Sequence, residues 1–386
     1  MSNARPAWVT QEITEKMLRG ALEVERTGEG LLPQRLPGWV RQRGADAGVL
    51  LAASQPSGVR VALRTSASAI ELDARRTTVA YTGAPSRPDG VYELLVDGRP
   101  VAHASVGGGN VVEIDMATGQ RTEVPGEPGT AVFTGLGEGD KTVEIWLPHT
   151  ETTELLGLRA DAPVHPAAEP GLRRWVHHGS SISHGSNAAG PASTWPALAA
   201  RRGGVELTNL GFSGSALLDP FTARAIRDAP AEVISLKIGI NLVGGDLMRM
   251  RAFVPAVHGF LDTIREGHPE VPLLVISPIH CDIHERTPGP SAPDLTGGQV
   301  RFVATGDPAE ISSGKIALET VRQALAGVVA ERDDAQLHYL DGRELYGPGD
   351  AVELPLPDAL HPDAATHRLM GERFAEHAFT PGGVFA

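Results

Sequence analysis

One stretch of the chain concentrates hydroxyls, imidazoles and glycines: His177-His178-Gly179-Ser180-Ser181-Ile182-Ser183-His184-Gly185. It follows an apolar-basic run, Leu172 to Val176, that reads as a strand, and it precedes a helical segment beginning near Trp195-Pro196. A serine on a glycine-bracketed turn between strand and helix suits nucleophilic attack. Glycine lets the backbone turn sharply, and nearby N–H groups can meet a developing negative charge. The spacing is not the G-x-S-x-G elbow, because Ser183 stands where the second glycine should be. Three further segments carry complementary chemistry: Asn209-Leu210-Gly211-Phe212-Ser213-Gly214-Ser215, Lys237-Ile238-Gly239-Ile240-Asn241 and Asp358-Ala359-Leu360-His361-Pro362. Acyl transfer from an ester needs a nucleophile, a base, a group that fixes the base's tautomer, and donors for the oxyanion. Asp358 and His361, three apart, can set a carboxylate against one imidazole nitrogen and leave the other for Ser181. Pro362 suits a first helical turn that would anchor the loop. Ser180 and Ser183 are rival nucleophiles.

These segments need a scaffold that brings them together. After Leu172, strands are predicted at 172–178, 205–210, 232–238, 271–277 and 336–340, and helices at 195–202, 216–228, 247–267, 313–331 and 363–377. Strands alternating with helices of this length imply βαβ units and a parallel sheet, whose ligands sit at the carboxyl ends of the strands. Three of the four segments follow the first three strands, and the fourth leads into the last helix. Upstream, Asp161–Gly171 holds three prolines and a glycine and reads as a linker. From Gly48 to Asp161 the texture is β, with period-two alternation at 59–63 and 69–74 and further strands at 111–114, 130–134, 142–146 and 155–159. Val91–Val96, then Asp97-Gly98, then Arg99–Ala104 is a hairpin signature. Short strands at this spacing predict a sandwich or jelly roll. Residues 11–24 are expected to form one short helix ahead of it. The division expected is therefore 1–165 and 170–386.

Four blocks in this order resemble the SGNH (GDSL) hydrolase superfamily of esterases and acylhydrolases. Its first block falls on Gly179-Ser180-Ser181 and Gly185, its second-block glycine on Gly214, its Gly-x-Asn on Gly239-Ile240-Asn241, and its Asp-x-x-His-Pro on Asp358, His361 and Pro362. The match covers about 172–380. Ser180 replaces the family's usual aspartate beside the nucleophile, and Leu242 the aspartate that often follows the block-three asparagine. The resemblance implies a three-layer α/β/α domain with Ser181, His361 and Asp358 as triad. It also implies an oxyanion hole from the Ser181 and Gly214 N–H groups and the Asn241 side chain. The β region is similar in architecture to the jelly-roll modules of two-domain carbohydrate esterases. The activity expected is that of a serine esterase acting on a short O-acyl group, acetyl above all, of a carbohydrate or another polyhydroxylated molecule, with no cofactor. The alternatives are a lipase, thioesterase or acyltransferase with the same triad, or a non-catalytic carbohydrate-binding protein.

Each block has an ordinary reading when taken singly. Gly214 is then a turn glycine, Asn241 a helix cap and His361 a surface residue at a helix start; it is their coincidence that favours chemistry. His280-Cys281-Asp282-Ile283-His284-Glu285 holds several ligand types, but no second cluster supplies further ligands, so no metal is expected. His280, Asp282, His284 and also His184 are read as substrate-lining. His177 and His178 alternate across a strand, so at most one can face the site. Phe212, Leu217, Leu218 and Leu242 are the apolar lining these loops offer, enough for a short acyl group. Residues 286–312, rich in Pro and Gly, read as an excursion near the pocket mouth.

A net charge of −13 without a basic cluster argues against nucleic acid or anionic membrane as partner. No apolar run approaches the roughly 20 residues a membrane span needs. The N-terminus lacks the apolar core of a signal peptide, and Cys281 is the only cysteine. Together these suggest a cytoplasmic protein. Ser2-Asn3-Ala4 has the look of a tag remnant, which leaves room for a leader removed beforehand. The oligomeric state is not legible.

Overall fold

The computed structural model describes residues 8–43, 45–82, 88–115, 118–296 and 298–386; Ser2-Asn3-Ala4 lie outside them. The chain divides into two compact units. The first comprises residues through Arg41, Ala53–Gly171 and Gly190–Ala192; the second comprises Gln42–Ala52, Leu172–Ala189 and Ser193–Ala386.

The first unit is β-rich. An eight-stranded sheet is built around the long strand Ala69–Tyr81, and a six-stranded sheet around Arg60–Thr65 and Lys141–Trp146. Pairing is antiparallel except between Ala69–Tyr81 and Asn110–Ile114. Both sheets contribute to one apolar core, with Ile70, Leu72 and Phe133 from the first and Val61, Leu63, Leu94 and Ile145 from the second. The hairpin Val91–Val96 to Arg99–Ser105 turns at Asp97 and Gly98, whose φ angles of 47° and 75° are those a two-residue hairpin turn requires. Residues 11–24 do not form the expected helix. A strand at Val9–Gln11, a single 3-10 turn at Glu15–Met17 and short strands at Leu18–Arg19 and Glu23–Arg26 take its place. Ile13 and Met17 are buried in the sheet core, and edge pairing satisfies the backbone there. Conversely, Ala47–Ser54, at the start of the stretch read as β and mostly in the second unit, is an α-helix in which Ala and Leu, good helix formers, predominate.

The second unit holds a five-stranded, wholly parallel sheet. Its order is Val205–Gly211, Arg173–Gly179, Val233–Lys237, Leu273–Ile276, Leu337–Leu340. The chain leaves the first strand toward one edge, then crosses back to its other side. Loops at the carboxyl ends therefore diverge from the first strand, and such a point opens a crevice. Alternation along Arg173–Gly179 shows both faces covered. Trp175 stacks on Phe374 at 5.0 Å, and His177 meets Trp195 at 4.7 Å, on the side of helices Trp195–Gly203 and Ala364–Phe379. His178 lies against Phe260 of helix Met250–Gly267 on the other side. Three layers result. The helix expected at 313–331 begins only at Leu318, because a 3-10 segment, Pro308–Ser313, ends at Gly314 with φ 92°.

Candidate active site

Ser181 opens a one-turn helix, Ser181–His184, directly after the first strand. Gly179 makes this turn possible, since a Cβ there would lie 2.3 Å from Ser183 Oγ. Ser180 is fully buried and caps the turn, its hydroxyl accepting from the Ile182 N–H. Ser183 is also buried, hydrogen-bonded to His177 Nε2 at 2.8 Å. The imidazole that Ser183 meets is itself wholly buried, and both rival hydroxyls are closed off from solvent. Ser181 keeps 8% exposure, and its Oγ–H donates to His361 Nε2 at 2.9 Å.

Asp358 and His361 sit on a tight loop before the last helix. Ala359 adopts φ 67°, a left-handed conformation uncommon outside glycine, and it bends the loop back on itself. Asp358 Oδ1 then accepts from the N–H groups of Leu360 at 2.9 Å and His361 at 2.6 Å. Its Oδ2 accepts from His361 Nδ1–H at 2.7 Å. Burial alone would raise the Asp358 carboxyl, but the His361 ring and the two backbone donors outweigh it and hold the group below its ordinary value. With the Nδ1 proton held by the carboxylate, Nε2 presents its lone pair to Ser181.

The third loop is shaped by Gly239, whose φ of 124° is barred to other residues and whose Cβ would sit 2.6 Å from Val321 Cγ1. Asn241 follows it, and its Oδ1 accepts from the Ala216 N–H at 3.1 Å, which leaves the amide nitrogen to donate elsewhere. That bond ties the third loop to the second, and Phe212 N–H donates to Gly179 O at 2.8 Å to tie the second to the first. Gly214 is exposed, with φ 69°. The N–H groups of Ser181 and Gly214 have no protein acceptor among the described residues.

Residues 173–285 match the GDSL-like lipase/acylhydrolase family, a span holding Ser181, Gly214 and Asn241. The second unit carries a GDSL-like lipase/acylhydrolase domain. Residues 17–155 match the SsfX3 N-terminal domain. Among solved structures, a salicylyl-acyltransferase, SsfX3, from a tetracycline biosynthetic pathway is similar over 96% of each chain, with 28% identity and a TM-score of 0.78. A GDSL-like lipase candidate from Bacteroides ovatus is similar at 19% identity and TM-score 0.66, covering 96% of this chain and 95% of its own. A family two carbohydrate esterase from Clostridium thermocellum, as an active-site mutant, follows at 14% and 0.59, covering 96% and 97%. These last two likenesses concern the fold. A search of curated proteins finds no match.

Within the GDSL-like domain the remaining sequence candidates scatter. His184 is buried on the Ser181 turn, and its Nδ1 accepts from Ser213 N–H. His284 is fully buried with both nitrogens engaged, Nδ1 by Thr287 O and Nε2 by Ser291 Oγ, so it braces its loop and offers a substrate nothing. His280 is held between Asp282 at 2.8 Å and Glu285 at 3.3 Å, and Glu285 is paired with Arg322. Asp282 remains well exposed, at 84% for its side chain. Of the apolar lining expected, Phe212, Leu218 and Leu242 are buried in the core. The aromatic ring at the site is instead Phe302, in the excursion, 5.6 Å from the His361 ring and T-shaped to it.

The sequence names Lys237 and His177 but assigns neither the buried role that the structure gives it. Lys237, at the end of the third strand, is pushed down to about 7 by burial and then by Arg322. His177 joins Ser235 Oγ at 2.7 Å to Ser183 Oγ at 2.8 Å, and Trp175 Nε1–H donates to the same Ser235 at 2.8 Å. Burial first, then the charges of His178 and Lys237, hold His177 well below its ordinary value.

Proposed function

We propose that the chain is a serine esterase that cleaves a short O-acyl ester of a hydroxylated alcohol, such as an acetylated carbohydrate, through Ser181, His361 and Asp358. The observation that carries this reading is the unbroken hydrogen-bonded path from Asp358 Oδ2 through His361 to Ser181 Oγ. Ser181 Oγ attacks the acyl carbon as its proton passes to His361 Nε2, and Asp358 stabilises the imidazolium. The Ser181 and Gly214 N–H groups and the Asn241 amide receive the oxyanion. When the intermediate collapses, His361 returns the proton to the alcohol oxygen, and the alcohol leaves behind an acyl-serine. Water, deprotonated by His361, then attacks the acyl carbon, and the acid leaves as Ser181 regains its proton. No cofactor takes part in these steps. The β-rich first unit is read as a jelly-roll-like accessory module.

The short acyl group is supported by the burial of Phe212, Leu218 and Leu242, which removes most of the apolar wall that a long chain would need. Each methylene buried adds only about 0.8 kcal/mol, so without that wall chain length brings little affinity. Aryl esters of rising chain length, assayed below micelle formation, should give their highest kcat/KM from acetyl to butyryl. A maximum at octanoyl or beyond would favour a lipase. Mass spectrometry of enzyme quenched with acid during turnover of an aryl acetate should find one acetyl group on Ser181, and its absence there together with an active Ser181→Ala enzyme would end the acyl-serine reading.

Transfer to a second hydroxyl is favoured by one observation, the 28% identity to a salicylyl-acyltransferase over 96% of both chains. The two readings share the acyl-serine and differ in what discharges it. Adding an alcohol acceptor and measuring the ratio of new ester to free acid separates them.

A further inference from the structure

The Pro- and Gly-rich excursion after residue 285 is a built element. Ser291–Asp294 and Arg301–Ala304 form an antiparallel hairpin in which Pro293 faces Phe302. Its root is fastened at several points. Ser291 Oγ bonds His284 Nε2 at 2.6 Å, and Thr305 N–H donates to Pro290 O at 2.9 Å. Gly289 packs so close to Val243 O, two residues beyond Asn241, that a Cβ would lie 2.0 Å from it. The other strand is tied to the acid–base loop, for Phe302 N–H donates to Asp358 O at 2.8 Å. Cys281 Sγ–H reaches Ala359 O of the same loop at 3.4 Å. The hairpin thus spans from the loop of Asn241 to that of His361. It holds the half-buried Phe302 ring against the imidazole.

The place of that ring in the reaction is set by the proton transfers of His361. Nε2 gives its proton to the departing alcohol oxygen, so the alcohol portion lies alongside the imidazole. The acyl oxygen is turned toward Gly214 and Asn241 on the other loops. We infer that Phe302 is a specificity-determining residue for the alcohol portion of the ester, its ring offering an apolar face to alcohols that themselves carry a ring. This rests on the acyl-serine reading above. An aromatic face favours a flat or ring-shaped neighbour over a small aliphatic one by roughly three- to tenfold.

Three esters isolate the effect: benzyl acetate, with a ring on the alcohol; ethyl phenylacetate, with a ring on the acyl group; and ethyl acetate, with neither. Phe302→Ala should lower kcat/KM for benzyl acetate about three- to tenfold more than for the other two. Phe302→Leu should fall between, and Phe302→Tyr should stay near the parent. Equal losses on all three esters would overturn the inference, because Phe302 would then only steady His361. A loss selective for ethyl phenylacetate would overturn it as well, by putting the ring on the acyl side. Ser181→Ala, assayed alongside, separates the two levels. If it still turns over these esters, the acyl-serine reading fails whatever Phe302 does.

Discussion

Two histidines of the second unit each stand between two oxygen-bearing side chains, at nearly the same distances. His361 spans Ser181 at 2.9 Å and Asp358 at 2.7 Å; His177 spans Ser183 at 2.8 Å and Ser235 at 2.7 Å. They differ in the far partner and in access. Asp358 is a carboxylate held ionised, and the His361 side chain keeps 14% exposure. Ser235 is a neutral hydroxyl, and His177 is wholly buried. A carboxylate stabilises the imidazolium that a general base becomes, whereas a hydroxyl in an apolar core leaves that charge to bear the full desolvation penalty. A serine–histidine hydrogen bond is therefore not enough to make a base. His177 instead stitches the first and third strands to the turn that carries Ser181.

The largest expected effect tests that contrast directly. Ser181→Ala should lower ester hydrolysis by roughly 10⁴-fold or more with the fold intact. Ser183→Ala should leave kcat within about tenfold but cost about 1–3 kcal/mol in urea unfolding, by stripping His177 Nε2 of its partner. The opposite pattern, with Ser183 essential and Ser181 dispensable, would mean that the buried relay is the catalytic one.

A smaller effect sharpens the comparison on the side of charge development. Only the His361 site should need donors for an oxyanion. Asn241→Ala is therefore expected to lower kcat by on the order of 10²–10³ with little change in KM. A raised KM at constant kcat would assign Asn241 to substrate binding or to holding the Ala216 loop.

The last effect leaves the rate aside and concerns stability against pH. His177 and His367 are both neutral by burial, and His367, whose Nε2–H donates to Ser186 O, is pushed down to about 4. Below the ordinary imidazole value near 6.5 the unfolded chain takes up protons that the folded chain refuses, so stability falls as pH drops through that window. For His367 the loss between about 6.5 and 4 is on the order of 3 kcal/mol. Urea midpoints should decline from pH 7 downward, and His367→Gln should flatten part of that slope. A midpoint indifferent to pH would show that these imidazoles are hydrated in the folded state.

Much of this was legible in the chain itself, because local chemistry leaves local marks. The strand–helix alternation after Leu172, the Asp97-Gly98 turn and the four segments later found at one end of the sheet all depend on neighbours within a few residues. What spacing could not decide was register and burial. Residues 11–24 hold helix-compatible side chains, yet sheet edges in need of partners drew them into strands. Phe212 and Leu242 look like pocket lining until the packing of the sheet hides them. Phe302 carries no periodic signal and sits among prolines and glycines. Only the hairpin's ties to Asp358 and His284, far off in sequence or invisible in it, set its ring beside His361. The same holds for His177 against His361. The sequence supplied both histidines and their serines, and only the tertiary structure decided which imidazole met a carboxylate near solvent and which was sealed in the core.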